Sequence, residues 1–164
     1  MVGANGPEFR LEDLTLVATP GDVFETLRDF AHENRVVMEV QQSALRPLAQ
    51  DTYEAYLRTS RGDNQAILTV SQRKPGVVLW VPGGGENFNG PAEGIYADLA
   101  LELQAAGMSS LRMGYRDPGS FHECVLDVLA WLCFLKSAGA KEAVLVGNTL
   151  GAAVAIPVAV LHPM

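Results

Sequence analysis

The spacing of apolar and polar residues changes near Pro75. After this point come three short runs: GVVLWV and EAVLV consist largely of apolar residues, and MSSLRMG contains Met108, Leu111 and Met113. Such runs predict strands that are buried on both faces, as in a parallel sheet covered by helices on its two sides.

Three segments with apolar residues at helical spacing follow these strands. The first, GPAEGIYADLALELQAAG, places Ile95, Leu99 and Leu103 on one face. The second, SFHECVLDVLAWLCFLKSAG, begins with a capping box formed by Ser120 and Glu123. The third, TLGAAVAIPVAVLH, contains a proline that should kink or end it. This alternation predicts an α/β fold with a doubly wound, mostly parallel sheet.

The first half of the chain has a weaker pattern. A helix is predicted to begin at Asp22, and RVVMEVQ is predicted to be a short strand. SALRPLAQ is predicted to be a loop because Pro47 interrupts it. The stretch from Thr52 to Gln72 predicts a hairpin with its turn at Arg61–Asn64. We therefore divide the chain into an N-terminal segment, residues 1–50, and an α/β domain, residues 51–164.

Composition excludes several classes of function. The 164 residues include 12 basic and 19 acidic side chains, giving a formal net charge of -7 that disfavours nucleic acid as a partner. The N-terminus lacks the apolar core of a signal peptide, and the apolar run at residues 152–161 is too short to span a bilayer. We expect a soluble, cytoplasmic protein without a membrane partner.

The two cysteines predict neither a disulfide nor a metal site. Cys124 and Cys133 lie in one predicted helix, roughly 13 Å apart along its axis, which is too far for a bridge. No histidine pair stands near them at ligand spacing. We expect buried thiols, no metal and no cofactor.

Two loops that follow predicted strands could carry chemistry. In VPGGGENFNGP, Gly83 and Gly84 allow backbone N–H groups to approach an anion closely. The loop lacks the lysine of a phosphate-binding Walker motif and the third glycine of the dinucleotide fingerprint. In YRDPGSFHE, His122 is a weak candidate for a general base, with a plain role in the first turn of a helix as the alternative.

A third loop has the pattern glycine, any residue, nucleophile, any residue, glycine. In EAVLVGNTLGAAVA, Gly147 and Gly151 flank Thr149 at this spacing, between a predicted strand and a predicted helix. Glycines are needed there because the central residue takes a strained turn and its neighbours pass close to one another. The Leu150 N–H and those of the glycine loop would then form an oxyanion pocket for acyl transfer.

From about Tyr53 onward, these motifs resemble the first half of the α/β-hydrolase superfamily, in particular its dienelactone-hydrolase-like and esterase-like members. VVLWVPGGGENFNGP corresponds to the oxyanion loop, SSLRMGYRDPG to the next strand and its loop, and EAVLVGNTLGAAVA to the nucleophile elbow. The resemblance implies a small-molecule acyl substrate, with Thr149 as a degenerate nucleophile and Gly83, Gly84 and Leu150 as oxyanion or substrate-binding residues.

The chain departs from the family pattern at four positions. Pro82 and Asn148 stand where the family has histidine, Thr149 where it has serine, and Ala152 where it has glycine. No Asp or Glu follows Thr149, and His162 lies roughly 20 Å along the predicted helix. We therefore expect a fold truncated after the elbow helix and a catalytically impaired or silent protein.

Two alternatives to a silent protein remain open: an ester hydrolase that uses Thr149, and a non-catalytic binding module. The family's strand order also places the strand Glu142–Val146 between the VVLWV strand and a later strand that this sequence does not contain. An exposed sheet edge would result, and such an edge favours self-association.

Overall fold

The structure is a computed structural model that describes residues 8–10, 37–71, 76–85 and 87–161. The helix predicted to begin at Asp22 lies outside the described residues, as does His162. The described elements are β1 Glu8–Arg10, β2 Val37–Ala49, β3 Thr52–Thr59, β4 Gly62–Thr69, β5 Gly76–Val81, α1 Ile95–Ala105, β6 Ser109–Met113, α2 Phe121–Ser137, β7 Glu142–Gly147 and α3 Leu150–Leu161.

The strands form one mixed sheet in the order β1-β2-β3-β4-β6-β5-β7. Strand β5 pairs in parallel with β6 on one side and β7 on the other, whereas the strands from β1 to β4 pair antiparallel with their neighbours and β4 pairs antiparallel with β6. The carboxyl ends of β5, β6 and β7 therefore lie at the same edge of the sheet, as do the three loops singled out from the sequence.

Helices cover both faces of the sheet, which confirms the predicted doubly wound α/β fold. On one face, α2 and α3 pack against Leu79, Val81 and Leu111, and ten residues of α2 are buried. On the other face, Tyr96 of α1 packs against Val78 and Trp80. Parallel strands buried on both faces account for the nearly continuous apolar runs in the sequence.

Helix α1 begins later than predicted, and one of the three residues predicted to lie on its buried face is exposed. Gly94, at φ 119°, is the N-cap, so the helix begins at Ile95 and the preceding residues form turns. Ile95 is 42% exposed, and the buried residues are Tyr96 and Ala100. Leu99 and Leu103 are partly buried against Val78, Trp80 and Tyr96, as predicted. The prediction for Ile95 was wrong, because it is the first residue of the helix and directly follows the turns that end at Gly94.

Three other predictions are corrected. The segment SALRPLAQ is a continuation of β2, with a register shift after Pro47. Strand β1 pairs only with Val37–Glu39, so at Pro47 the outer side of β2 has no neighbour among the described strands, and an edge strand tolerates a residue without an N–H. The hairpin turn consists of Ser60 and Arg61, earlier than predicted. Helix α3 does not end at Pro157 but continues to Leu161, so of the two predicted effects of this proline only a kink stays a prediction.

The predicted capping box at the start of α2 consists of two hydrogen bonds between Ser120 and Glu123, and the structure contains one of them. The Ser120 hydroxyl accepts a hydrogen bond from the Glu123 N–H at 3.4 Å. The Glu123 carboxylate does not complete the capping box, because it binds Arg61 and Arg116 instead. Glu123 therefore links α2 to the sheet.

Candidate functional site

The elbow after β7 is a sharp turn with close backbone contacts. Thr149 lies between β7 and α3 with φ at 45°, a region that a β-branched residue rarely adopts. A Cβ on Gly147 would lie 2.5 Å from the Gly151 carbonyl carbon, and a Cβ on Gly151 would overlap the Val81 carbonyl oxygen. Only glycine fits at these two positions, which explains their spacing around Thr149.

The glycine loop after β5 lies against the elbow. Gly83 is buried, while Gly84 and Gly85 are exposed. A Cβ on Gly84 would lie 3.4 Å from Leu150 Cδ2, so the loop contacts the first residue of α3. The elbow and the glycine loop therefore lie side by side at the carboxyl edge of the sheet. The first N–H groups of α3 lie at this place, and the first N–H groups of any helix lack partners within the helix.

A network from α1 supports both loops. The Tyr96 hydroxyl donates a hydrogen bond to Asn148 Oδ1 at 3.1 Å, and the Tyr96 ring stacks on Trp80 with centroids 4.8 Å apart. The Tyr96 N–H donates to the Asn89 carbonyl at 2.9 Å, and a Cβ on Gly90 would overlap the Tyr96 ring. Tyr96 thus fixes the loop after β5 and the residue before Thr149 at the same time.

Arg112 stabilises the loop after β5 through hydrogen bonds. It lies on β6 beside Trp80, and its Nη1 donates hydrogen bonds to Asn89 Oδ1 at 2.9 Å and to the Phe88 carbonyl at 3.5 Å. Burial lowers the pKa of Arg112. The sequence analysis did not single out Tyr96 or Arg112. The available signal for Arg112 was a charged residue within a strand predicted to be buried, SSLRM.

The loop after β6 forms a separate polar cluster. Arg116 binds Asp127 through Nε and Glu123 through Nη2, the latter at 2.7 Å, and its Nη1 donates to the Arg61 carbonyl at 2.9 Å. Asp127 is fully buried, and this burial raises its pKa although Arg116 acts in the opposite direction. Arg61 also binds Glu123 through Nε at 2.9 Å. These contacts fasten the loop and α2 to the β3–β4 turn.

His122 belongs to this cluster rather than to the elbow. Burial lowers the pKa of His122, and the charges that act on it are those of Glu123 and Arg61. Arg61 immediately precedes β4, which is three places from β7 in the sheet, or about 14 Å at the usual strand spacing. The structure therefore brings Thr149 together with the glycine loop and groups His122 with the salt bridges.

Both cysteines are free thiols. Burial raises the pKa of Cys124 to about 12 and that of Cys133 to about 11, so both stay protonated at neutral pH. In the described part of the chain, no group of three or more His, Cys, Asp or Glu side chains could hold a metal ion. Within the same ranges, none of the three helices is both long and apolar enough to cross a membrane.

No protein-family model matches the chain, and no curated protein matches it. Several solved structures do match the chain. A protein classed as a hydrolase from Agrobacterium vitis S4 superposes with a TM-score of 0.51 at 16% identity, over 74% of this chain and 44% of that one. A cold-adapted esterase from an Arctic intertidal metagenomic library, solved as a PEG-bound complex, gives a TM-score of 0.52 at 17% identity, over 68% of this chain and 57% of the esterase.

A third structure, an alpha-beta serine hydrolase homologue from Coxiella burnetii, gives a TM-score of 0.49 at 18% identity, over 73% of this chain and 57% of that one. Likenesses at such low identity define the fold alone. The chain has an α/β-hydrolase-like fold, and it spans about half the length of the first two structures that it resembles.

Proposed function

We propose that this chain forms the nucleophile-elbow half of a hydrolase-type acyl site and turns over esters at no more than trace rates. The observation that carries the proposal is the strained Thr149 turn packed against the glycine loop. In this arrangement, the N–H groups of Leu150 and of Gly83 or Gly84 would hold the oxygen of a bound acyl group. The ligand class is a small-molecule ester or related acyl compound.

The nucleophile itself is the weak part of this site. A hydroxyl attacks an ester efficiently at neutral pH only when an adjacent base takes its proton. No described side chain accepts a hydrogen bond from the Thr149 hydroxyl. The weak base candidate, His122, is grouped with Arg61 and Glu123. These observations favour binding without appreciable turnover.

Two other functions remain as alternatives. An active ester hydrolase would use Thr149 as nucleophile with a base that lies outside the described residues or comes from a partner. A non-catalytic binding module would use the same pocket without any acyl transfer. The esterase among the structural neighbours supports a ligand of the ester class in both cases.

Hydrolysis of p-nitrophenyl acetate tests the proposal. The purified chain should give no more than trace turnover, and Thr149→Ala should leave that rate unchanged. Ser137→Ala, which removes a hydroxyl from the exposed end of α2, is the matched control. A ten-fold or larger drop for Thr149→Ala alone would contradict the proposal and establish a working threonine. His122→Ala would then test whether His122 is the base.

We further propose that the chain self-associates through β7. Strand β7 is the last strand of the described sheet, and Val144 on it is 55% exposed. An exposed strand edge beside apolar side chains is a template for pairing with another chain, and a second copy supplies a matching edge. The expectation of a cytoplasmic location remains part of this proposal.

A further inference from the structure

Three of the described arginines bind carboxylates through the edge of the guanidinium group that is formed by Nε and Nη2. Arg58 binds Asp63 through Nε at 3.2 Å and through Nη2 at 3.4 Å. Arg61 uses Nε and Nη2 for Glu123, and Arg116 uses the same two atoms for Asp127 and Glu123. The Nε and Nη2 donors point the same way, which matches the two oxygens of a carboxylate.

Arg112 differs from these three arginines. Its Nη1 is bound by Asn89 and the Phe88 carbonyl, both neutral acceptors. Its Nε is buried, and among the described residues neither Nε nor Nη2 has a hydrogen-bond partner. The ion pairs among the described residues do not include Arg112. The carboxylate-binding edge of Arg112 is therefore not used by the described part of the protein.

The Arg112 guanidinium is a partly buried charge without a carboxylate partner among the described residues, which is unusual. Buried charged groups are normally paired, because removing a charge from water is unfavourable unless another group compensates it. Desolvation lowers the pKa of Arg112, and no carboxylate of a described residue opposes that effect. A ligand oxyanion on the Nε and Nη2 edge would compensate the charge and satisfy the buried donor.

The position of Arg112 fits a ligand in the candidate acyl site. Arg112 lies directly beside Trp80 of β5, and its Nη1 reaches the loop that follows β5. Strand β6 is two places from β7, so the backbone at Arg112 lies about 10 Å across the sheet from that strand. A compound of modest length could therefore reach from Arg112 to Thr149.

We propose that Arg112 binds an anionic group, a carboxylate or another oxyanion, of the compound that occupies the acyl site. This inference rests on the proposed function and adds a charge requirement to it: the preferred ligands are acyl compounds that carry a second, negatively charged group. Because the net charge of the chain is -7, the preference would come from the local guanidinium group and not from the overall field.

Isothermal titration calorimetry with two related esters tests this directly. Methyl hydrogen succinate carries an ester and a carboxylate, whereas dimethyl succinate carries two esters and no charge. The chain should bind the charged probe about ten-fold more tightly, as expected for a charge-assisted bidentate contact. Binding is measured without turnover, so a lack of hydrolysis bears on the proposed catalysis and not on this inference.

Two variants distinguish Arg112 from a general charge effect. Arg112→Gln should abolish the preference for the charged probe. Arg58→Gln removes the same charge from an exposed position and should keep the preference. Arg112→Lys keeps the charge without the bidentate edge and should retain a reduced preference, which guards against misfolding of the Arg112→Gln variant.

Three results would overturn the inference: equal binding of the two probes by the unmodified chain, a preference that survives in Arg112→Gln, or an equal loss in Arg58→Gln. Inorganic phosphate as competitor defines the class of anion. Displacement of methyl hydrogen succinate by phosphate would support a general oxyanion site. Retention of the succinate preference without phosphate competition would support a site shaped for carboxylate.

Discussion

Thr149 holds a backbone angle that its side chain disfavours. Its φ of 45° lies in the left-handed region, where a β-branched residue is strained by about 1–3 kcal/mol. The surrounding contacts impose this angle, because Gly147 and Gly151 pass within a few ångströms of each other and of Val81. The turn is therefore retained although threonine is poorly suited to it.

Replacing Thr149 with glycine should relieve this strain. We expect Thr149→Gly to raise the free energy of unfolding by about 1 kcal/mol, since the relief exceeds the added entropy of glycine in the unfolded chain. Thr149→Ala is the control, because it removes the β-branch but keeps a Cβ at positive φ, and it should gain less. Urea unfolding measures both variants, and a Thr149→Gly variant no more stable than Thr149→Ala would argue against strain.

At the scale of elements, Glu123 ties α2 to the β3–β4 turn and to the loop after β6. The hydrogen bond from Arg61 is the main reason why the pKa of Glu123 is lowered, with Arg116 contributing in the same direction. A carboxyl whose pKa is lower in the folded state stabilises the protein above its unfolded-state pKa. This contribution is lost as the pH falls through the folded-state pKa.

Glu123→Gln should therefore destabilise the protein in a pH-dependent way. We expect a loss of about 1–3 kcal/mol at pH 7, because the hydrogen bonds to two arginines lose their charge. The difference from the unmodified chain should shrink below about pH 4.5, where Glu123 protonates in the unfolded chain. Chemical denaturation at several pH values measures it, with Glu102→Gln on the exposed face of α1 as control. A loss independent of pH would contradict the ionic explanation.

Sequence patterns predicted the elements whose signals are local. The apolar run GVVLWV matches β5, and the glycines around Thr149 predicted the elbow turn. The strand through Pro47 was missed because a strand tolerates proline only where that side of it is unpaired, and pairing is a property of the whole sheet. Tyr96 and Arg112 were missed for the same reason, since their partners Asn148 and Asn89 lie far away in sequence.

At the scale of the whole molecule, the apolar surface at one end of the sheet is incompletely covered. Val146 packs against the cluster of Val78, Trp80 and Tyr96, whereas Val144, on the same face of β7, is 55% exposed. On α3, Ile156 is 63% exposed. This end of the described sheet therefore combines an open strand edge with exposed apolar side chains.

Light scattering over a concentration series should show a monomer that converts to dimers or larger species as concentration rises. Val144→Lys should shift the chain towards monomer, because a charge on an edge strand opposes pairing. Leu101→Lys is the matched control, since Leu101 is 60% exposed on α1 and lies away from β7. A stable monomer at high micromolar concentration would contradict the proposed pairing, as would an equal effect of the two variants.

We propose that the chain keeps the geometry of a hydrolase elbow while its nucleophile, Thr149, is not activated. Intact-mass spectrometry after incubation with a fluorophosphonate tests this most directly, because such reagents form a covalent bond with an activated hydroxyl. We predict an unmodified mass for the chain and for Thr149→Ser, which restores the less hindered hydroxyl but supplies no base. A stoichiometric adduct that maps to Thr149 and disappears in Thr149→Ala would contradict the claim.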